Sequence, residues 1–123
     1  MAAIPPVRLE TFKNAHYEIW AWTPLANGDT GDPINLRDFN DITIKSYGTY
    51  GAGGEVTVLG SLNLPGTTTD ADDDPLEEEA GVPLVLNAAS PWGTSRNAPL
   101  TMWPSVTAGD GDTDLTVRAV IRR

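Results

Sequence analysis

The fold is decided by residues 41–61, which read DITIKSYGTYGAGGEVTVLGS. Apolar and polar residues alternate at both ends of this stretch. Ile42 and Ile44 share the predicted inward face of the first run, with Lys45 on the outward face, and Val56 and Val58 share the inward face of the second. Successive side chains of a β-strand point to opposite faces, so each run predicts a half-buried strand. The glycine-rich residues between the two runs then predict a β-hairpin.

The glycines of this stretch have a second interpretation, a phosphate-binding loop. Such a loop lies between a strand and a helix N-terminus, where backbone N–H groups meet the anion. Here Gly51, Gly53 and Gly54 precede a strand instead, and the chain has no Gly-Lys-Ser/Thr. Val56 also stands where a G-x-G-x-x-G motif needs its third glycine. We therefore interpret the glycines as turn residues, which reach positive φ without steric cost.

Five other segments are apolar or alternating at short spacing, and each predicts a strand. They are residues 16–22, 34–36, 82–87, 98–106 and 115–121. In the last run, Leu115 and Ile121 lie on the apolar face and Arg118 lies on the other. Pro104 suits an edge, an end or a bulge, because proline cannot donate to the ladder. No segment combines a 3.6-residue period with helix caps. The sequence predicts an all-β fold, an antiparallel β-sandwich of jelly-roll or immunoglobulin-like type with about seven strands.

The length of 123 residues fits one domain. Residues 1–14 show no period and include Pro5-Pro6, so we interpret them as an extended N-terminal arm. Residues 15–123 are expected to form a single sandwich domain with an acidic loop at 66–81. The first residues lack a basic segment followed by an apolar one, so no signal peptide is expected.

Charge is concentrated in one segment. The net charge is −9, and residues 70–79, DADDDPLEEE, hold seven of the 17 acidic residues. Such a run is typical of a solvated, self-repelling loop, so we expect its deletion to leave the fold intact. Nucleic-acid binding uses a basic surface, which eight Lys and Arg residues in an acidic chain do not predict. No apolar run approaches the ~20 residues of a membrane span, so neither nucleic acid nor membrane is an expected partner.

Metal and catalytic motifs are incomplete. Residues 110–114, DGDTD, open like a calcium loop, but Leu115 and Ile121 occupy the positions that need Gly and Glu. We prefer a hairpin turn there, and a solvated loop for the acidic run, over calcium binding. His16 is the sole histidine, and no nucleophile-elbow pattern accompanies it. We expect no enzyme activity, no cofactor and no metal site.

The four tryptophans are Trp20, Trp22, Trp92 and Trp103. In the first predicted strand, Trp20 and Trp22 share the face opposite Tyr17. If the tryptophan face is outside, it is an apolar patch that needs a partner. If the strand is central, loops or the arm cover both of its faces. The sequence leaves both interpretations open.

Three blocks of the sequence resemble small virion proteins of tailed bacteriophages, in particular capsid cement or decoration proteins. The blocks are WTPLANGDTGDPINL (22–36), GTYGAGGEVTVLGS (48–61) and PSVTAGDGDTDLTVRAVIRR (104–123), about 49 of the 123 residues. In such proteins an Asn-Asp-Gly turn and an aromatic residue usually follow the second block. This chain has LNLPGTTTDADDDPLEEEAG there, so its acidic segment replaces the shorter turn of the family.

The resemblance implies a non-enzymatic virion protein on the outer surface of a phage capsid, made in the host cytoplasm. Its expected partners are the major capsid protein, whose neighbouring subunits it would bridge, and further copies of itself, as a trimer or else a dimer. The candidate contact residues are Pro5, Pro6, Trp20, Trp22, Trp92, Trp103, Arg122 and Arg123.

Three alternatives remain beside the cement protein. One is another head or tail component of a phage. The second is a carbohydrate-binding β-sandwich, in which Trp and Tyr stack on sugar rings beside acidic residues. The third is a small hydrolase that uses paired carboxylates.

Overall fold

The computed structural model of the chain describes residues 2–9, 16–36, 39–61, 74–79, 82–96 and 101–123. These residues contain fourteen β-strands and no helix. The strands are β1 (Ala3–Ile4), β2 (Val7–Arg8), β3 (Tyr17–Leu25), β4 (Thr30–Gly31), β5 (Ile34–Asn35), β6 (Asp41–Thr49), β7 (Glu55–Ser61), β8 (Asp74–Pro75), β9 (Glu77–Glu79), β10 (Val82–Pro83), β11 (Val85–Asn87), β12 (Trp92–Ser95), β13 (Thr101–Ala108) and β14 (Asp114–Arg122). The number exceeds the expected seven because six of them have two residues.

The strands form two main sheets. The seven-stranded sheet has the order β1-β4-β13-β7-β11, with β5 also beside β13 and β8 also beside β7. The five-stranded sheet has the order β12-β6-β14-β3-β2, and β9 pairs separately with β10. The pairing of β1 with β4 is parallel, and the other pairings between described strands are antiparallel. The all-β, antiparallel sandwich predicted from alternation is confirmed.

The core lies between the two sheets. Alternate residues of β14 face inward and are fully buried, among them Leu115, Val117 and Ile121. Val56 and Val58 of β7 enter the same core cluster from the other sheet. Full burial of one such side chain stabilises the fold by about 1.5–3 kcal/mol relative to leaving it exposed.

The glycine-rich residues 48–54 do not form the predicted hairpin. β6 pairs with β12 and β14, whereas β7 pairs with β13, β11 and β8, so the two strands lie in different sheets. Residues 109–113 likewise connect β13 of the seven-stranded sheet to β14 of the five-stranded sheet. Both predicted hairpin turns are therefore crossovers between sheets. Alternation indicates which face of a strand is buried and leaves its neighbour undetermined.

Pro104 lies inside β13, which has strands on both sides, so the prediction of an edge, end or bulge is wrong. β13 pairs with β5 at Met102 and with β4 at Ser105, and the ladder is interrupted between them. On that side the N–H of Val106 donates to the carbonyl of Asp29 at 2.9 Å. By alternation the nitrogen of Pro104 faces the interruption, where no donor is required.

Residues 2–9 are paired with the sandwich of their own chain. β1 lies beside β4 of the seven-stranded sheet, and β2 lies beside β3 of the five-stranded sheet. Pro5 and Pro6 carry the chain between the two sheets. The carboxylate of Asp29 accepts a hydrogen bond from the backbone N–H of Ala2 at 2.9 Å. The described part of the arm therefore connects the two sheets at one side of the sandwich.

Part of the acidic segment is built into the sandwich, contrary to the prediction of a solvated loop throughout. β8 pairs with β7, and the N–H of Leu76 donates to the carbonyl of Val58 at 2.8 Å. The side chain of Leu76 is 3% exposed and belongs to the core cluster. The prediction of a solvated loop rested on the acidic composition of residues 70–79 and did not take account of Leu76, the single large apolar residue among the acids. The remaining residues of the predicted loop, 66–73 and 80–81, lie outside the described residues.

Candidate interaction surface

The outer face of the five-stranded sheet carries a row of residues that are neighbours across its strands. Trp92 of β12 lies opposite Lys45 of β6, which lies opposite Arg118 of β14. Arg118 in turn lies opposite Ala21 of β3, which lies opposite Val7 of β2. The row thus begins and ends with exposed apolar side chains, since Trp92 is 58% and Val7 is 55% exposed.

Two positive charges lie side by side in the middle of this row. Lys45 and Arg118 are both exposed and occupy directly opposite positions on neighbouring strands. Neither forms an ion pair with any residue of the described ranges. Like charges directly opposite each other destabilise a sheet. An anionic group placed between them would remove that repulsion.

A shallow depression of about 490 Å³ lies at the same place. Its lining includes Thr43, Lys45 and Tyr47 from β6, and Arg118 and Val120 from β14. Tyr47 is 42% exposed. We call this depression, together with Trp92 opposite Lys45 on the neighbouring strand, the basic groove. It offers two cations, a hydroxyl group and aromatic surface, a combination that suits a carboxylate-rich partner.

The positive charge of the described residues is concentrated on this sheet. The six Lys and Arg residues in the described part of the chain all lie in strands of the five-stranded sheet or directly after one of them. They are Arg8, Lys45, Arg96, Arg118, Arg122 and Arg123. The strands of the seven-stranded sheet contain neither Lys nor Arg. In a chain of net charge −9, the five-stranded sheet is thus a local basic region.

Two of the predicted contact tryptophans are buried, which corrects the prediction for them. Trp22 faces inward, is 0% exposed, and its indole N–H donates to the carbonyl of Asp32 at 2.9 Å. Trp103 is 2% exposed. Neither presents surface to another protein. The sequence left open whether the Trp20/Trp22 face is an exposed apolar patch or is covered, and the structure shows that it is covered.

Trp20 is half-buried at the edge of the sandwich beside a buried carboxylate. Its indole N–H donates to the carboxylate of Glu18 at 3.1 Å, and the guanidinium of Arg8 lies 3.6 Å from the other carboxylate oxygen. The same guanidinium lies 6.0 Å from the centre of the Trp20 ring. These partners explain how Glu18, at 3% exposed, shares a face with two tryptophans.

The other predicted contact residues lie at the surface and do not form one patch. Arg122 pairs with Asp41 at 3.8 Å on the outer face of the five-stranded sheet. Arg123 is exposed, with its guanidinium 5.6 Å from the centre of the Phe39 ring. Pro5 and Pro6 lie near β2 at one edge, and Trp92 lies on β12 at the other edge. For Pro5, Pro6, Trp20, Trp92, Arg122 and Arg123 the contact role stays a prediction.

The basic groove was missed by sequence reasoning. Alternation placed Lys45 and Arg118 on outward faces, which the structure confirms. What the sequence lacked was the order of the strands, which makes β6 and β14 neighbours. Exposed cations on two separate strands are common in sheets. They form a binding surface only when the strands are neighbours and the register places the two residues opposite each other.

The Asp-rich turn has a structural role. The Asp110 carboxylate accepts hydrogen bonds from the backbone N–H groups of Ala52 at 2.8 Å and Asp112 at 2.9 Å. The N–H of Ala52 and then that of Asp112 hold the pKa of Asp110 below its ordinary value of 3.8. The hydroxyl of Thr113 donates to the carbonyl of Tyr50 at 2.8 Å. The two crossovers are thereby joined to each other.

Asp29 has a similar role at another turn. Its carboxylate accepts hydrogen bonds at 2.9 Å from the backbone N–H groups of Ala26 and of Ala2. The first of these bonds lowers the pKa of Asp29 most, burial opposes it, and the bond from Ala2 lowers the pKa further. Turn, arm and sheet are thus joined through one carboxylate.

Within the described residues, no group of three or more His, Asp or Glu side chains could hold a metal ion. The sole histidine, His16, is exposed, and its backbone carbonyl accepts a hydrogen bond from the N–H of Arg123 at 3.1 Å. No helix in the described part of the chain is long and apolar enough to cross a membrane.

A protein of known structure has a similar fold. It is the SPBc2 prophage-derived protein YomS, whose crystal structure superposes on this chain with a TM-score of 0.60. The similarity covers 92% of this chain and 100% of that chain, at 10% sequence identity. No protein family and no curated protein matches the chain. At this identity the likeness establishes the fold, a sandwich shared over nearly the whole length of both proteins.

Proposed function

We propose that this chain is a structural, non-enzymatic protein of a bacteriophage particle, and specifically a cement protein of the outer capsid surface. It would bind the major capsid protein and bridge neighbouring subunits. The observation that carries the proposal is the match of the sandwich to a prophage-derived protein over that protein's whole length. The resemblance of residues 22–36, 48–61 and 104–123 to cement proteins supports the finer assignment.

The three blocks that resemble cement proteins all contribute hydrogen bonds that would make the sandwich rigid, as a cement protein requires. They contain Asp29, Tyr50, Asp110 and Thr113, whose hydrogen bonds join the turns and crossovers of the two sheets. A protein that bridges subunits of a pressurised shell must resist deformation. Cross-linking the ends of the two sheets by short hydrogen bonds provides that rigidity.

The edge of the sandwich formed by β2 offers a surface for the capsid. Val7 is 55% and Leu9 is 39% exposed, next to exposed Pro5 and half-buried Pro6. The N–H of Leu9 donates to the carbonyl of Ile19 at 2.9 Å, which fixes this edge to the sheet. Several copies that each present such an edge would bind a symmetric lattice much more tightly than one copy.

The direct test is cosedimentation of the purified chain with assembled shells of the major capsid protein from the same phage. We expect the wild type to sediment with the shells and to raise their unfolding temperature. The variant V7S/L9S should bind more weakly, whereas V82S, at a residue 41% exposed elsewhere, should bind normally. Failure of the wild type to sediment with shells would overturn the proposal. Recovery of the chain from tails of purified virions would assign it to another part of the particle.

A carbohydrate-binding module is a second candidate because Trp92 is 58% exposed beside the basic groove. An exposed indole next to Tyr47 and Lys45 could stack on a sugar ring while the cation binds an acidic substituent. A glycan array separates the candidates. Binding that is lost in W92A and retained in V82A would favour the carbohydrate module, and no binding would leave the capsid as the target.

A further inference from the structure

The two cations of the basic groove have no counter-ion among the residues that the structure describes. Lys45 and Arg118 lie opposite each other at the surface, without an ion pair to any described residue. Two adjacent cations are unfavourable in a sheet unless an anionic group lies between them. The groove is therefore shaped and charged for a negatively charged partner.

The same chain carries an acidic strand at another place. β9 consists of Glu77, Glu78 and Glu79, and it ends the segment that holds seven of the 17 acidic residues. β9 lies beside β12, where the hydroxyl of Ser95 donates to the carbonyl of Glu77 at 2.7 Å. A strand in this position lies at the boundary of the sandwich.

The acidic strand and the groove of one chain lie on opposite sides of β12. Ser95, which contacts β9, is 2% exposed and points inward, opposite Ile42 of the core. Trp92, which belongs to the groove, lies opposite Lys45 on the outer face. A chain cannot place β9 in its own groove without breaking this arrangement, so β9 can enter the groove only of another molecule.

We propose that the basic groove of one copy binds the acidic strand β9 of a second copy. Stacking of two grooves face to face would instead bring four unpaired cations together, which is unfavourable. The contact is between two different surfaces of the same protein. Such a contact closes into a ring if the rotation between successive copies closes, and it extends into an open filament otherwise. The proposal concerns the isolated protein and does not depend on capsid binding.

Sedimentation velocity of the purified chain tests the contact. At about 50 mM NaCl the wild type should associate, and at about 500 mM it should dissociate, because exposed ion pairs are screened by salt. K45E/R118E and E78K/E79K should each associate at least about tenfold more weakly. An equimolar mixture of K45E/R118E and E78K/E79K should associate again, since it pairs a reversed groove with a reversed strand. Circular dichroism would verify that each variant is folded.

The control is R96E/R123E, which makes the same change of charge at two exposed cations away from the groove. It should associate like the wild type. A wild type that is monomeric at low salt would overturn the proposal, as would an oligomer that persists in K45E/R118E. Mixing that fails to restore association would exclude β9 as the occupant. Binding of the chain to capsid shells is measured separately by cosedimentation, so failure of this contact is distinguishable from failure of the proposed function.

Discussion

The carboxylate of Asp110 accepts a hydrogen bond from the backbone N–H of Ala52 at 2.8 Å, and this bond links the two crossovers of the sandwich. A second link is made by Thr113, whose hydroxyl donates to the carbonyl of Tyr50. The first crossover leads from β6 to β7 and the second from β13 to β14. Each crossover changes sheet, so the links hold the ends of both sheets together.

We expect T113V to lower the free energy of unfolding by about 1–3 kcal/mol, because it removes two hydrogen bonds at a buried site while keeping the side-chain shape. The hydroxyl of Thr113 also accepts from the N–H of Asp110 at 2.9 Å, and the residue is 4% exposed. Urea denaturation measures the change. T49V, at an exposed position of β6, is the matched control and should change stability little. Equal stability of T113V and T49V would show that the crossovers are not coupled through this hydroxyl.

Acid should weaken the fold through Asp29 and Asp110, whose pKa values are both lowered by backbone N–H donors. A carboxyl group with a lowered pKa in the folded state stabilises the protein above its unfolded pKa. That stabilisation is lost as the pH falls through the folded pKa, so the loss should lie below about pH 4. We expect D29N and D110N to be less stable than the wild type at neutral pH and to approach it as the pH falls.

Urea denaturation at a series of pH values from about 7 to about 2.5 would follow this convergence. D114N removes one negative charge from the exposed first residue of β14 and controls for charge alone. A constant difference between wild type and D29N or D110N at every pH would contradict the prediction.

The faces of the strands were predictable from the sequence, and the neighbours were not. Alternation in residues 115–121 correctly identified the buried face of β14, with Leu115 and Ile121 inside. It also placed Lys45 outward. A run that alternates is equally compatible with any partner strand, so the crossover at residues 48–54 had the same pattern as a hairpin. The basic groove could not be predicted either, because it depends on the strand order, which alternation does not determine.

The acidic segment shows how composition can conceal a core residue. Leu76 stands between Pro75 and Glu77 in a run dominated by acids, and its burial requires the backbone of β8 to pair with β7. We expect L76A to cost about 2–5 kcal/mol of unfolding free energy, as for other buried leucines. Deletion of residues 74–79 should be at least as damaging, contrary to the expectation from charge alone.

Thermal unfolding followed by circular dichroism would measure the effect of L76A. V82A also shortens an aliphatic side chain to alanine, but at a residue that is 41% exposed, and it should cost much less. If L76A and V82A unfold at the same temperature, Leu76 does not contribute to the core as the structure indicates.

Three glycine-to-alanine variants separate backbone conformation from side-chain contact in the crossovers. Gly51 and Gly53 have φ of 70° and 68°, so alanine at either should cost about 1–2 kcal/mol for the left-handed backbone. A Cβ at Gly51 would also collide with the carboxylate of Asp110 and lie 2.8 Å from the hydroxyl oxygen of Thr113, whereas a Cβ at Gly53 would meet nothing within 4 Å. G51A should therefore lower the free energy of unfolding more than G53A does.

Gly111 is the third member of the set, because a Cβ there also meets nothing within 4 Å and its φ lies outside the positive region. G111A should leave stability nearly unchanged, and urea denaturation of the three variants gives the order G51A, G53A, G111A from most to least destabilised. The excess cost of G51A over G53A arises because its methyl group must displace the Asp110 carboxylate oxygen that accepts from the N–H of Asp112. That excess should shrink in a D110A background, where the obstructing carboxylate is absent, and an undiminished excess would place the conflict elsewhere.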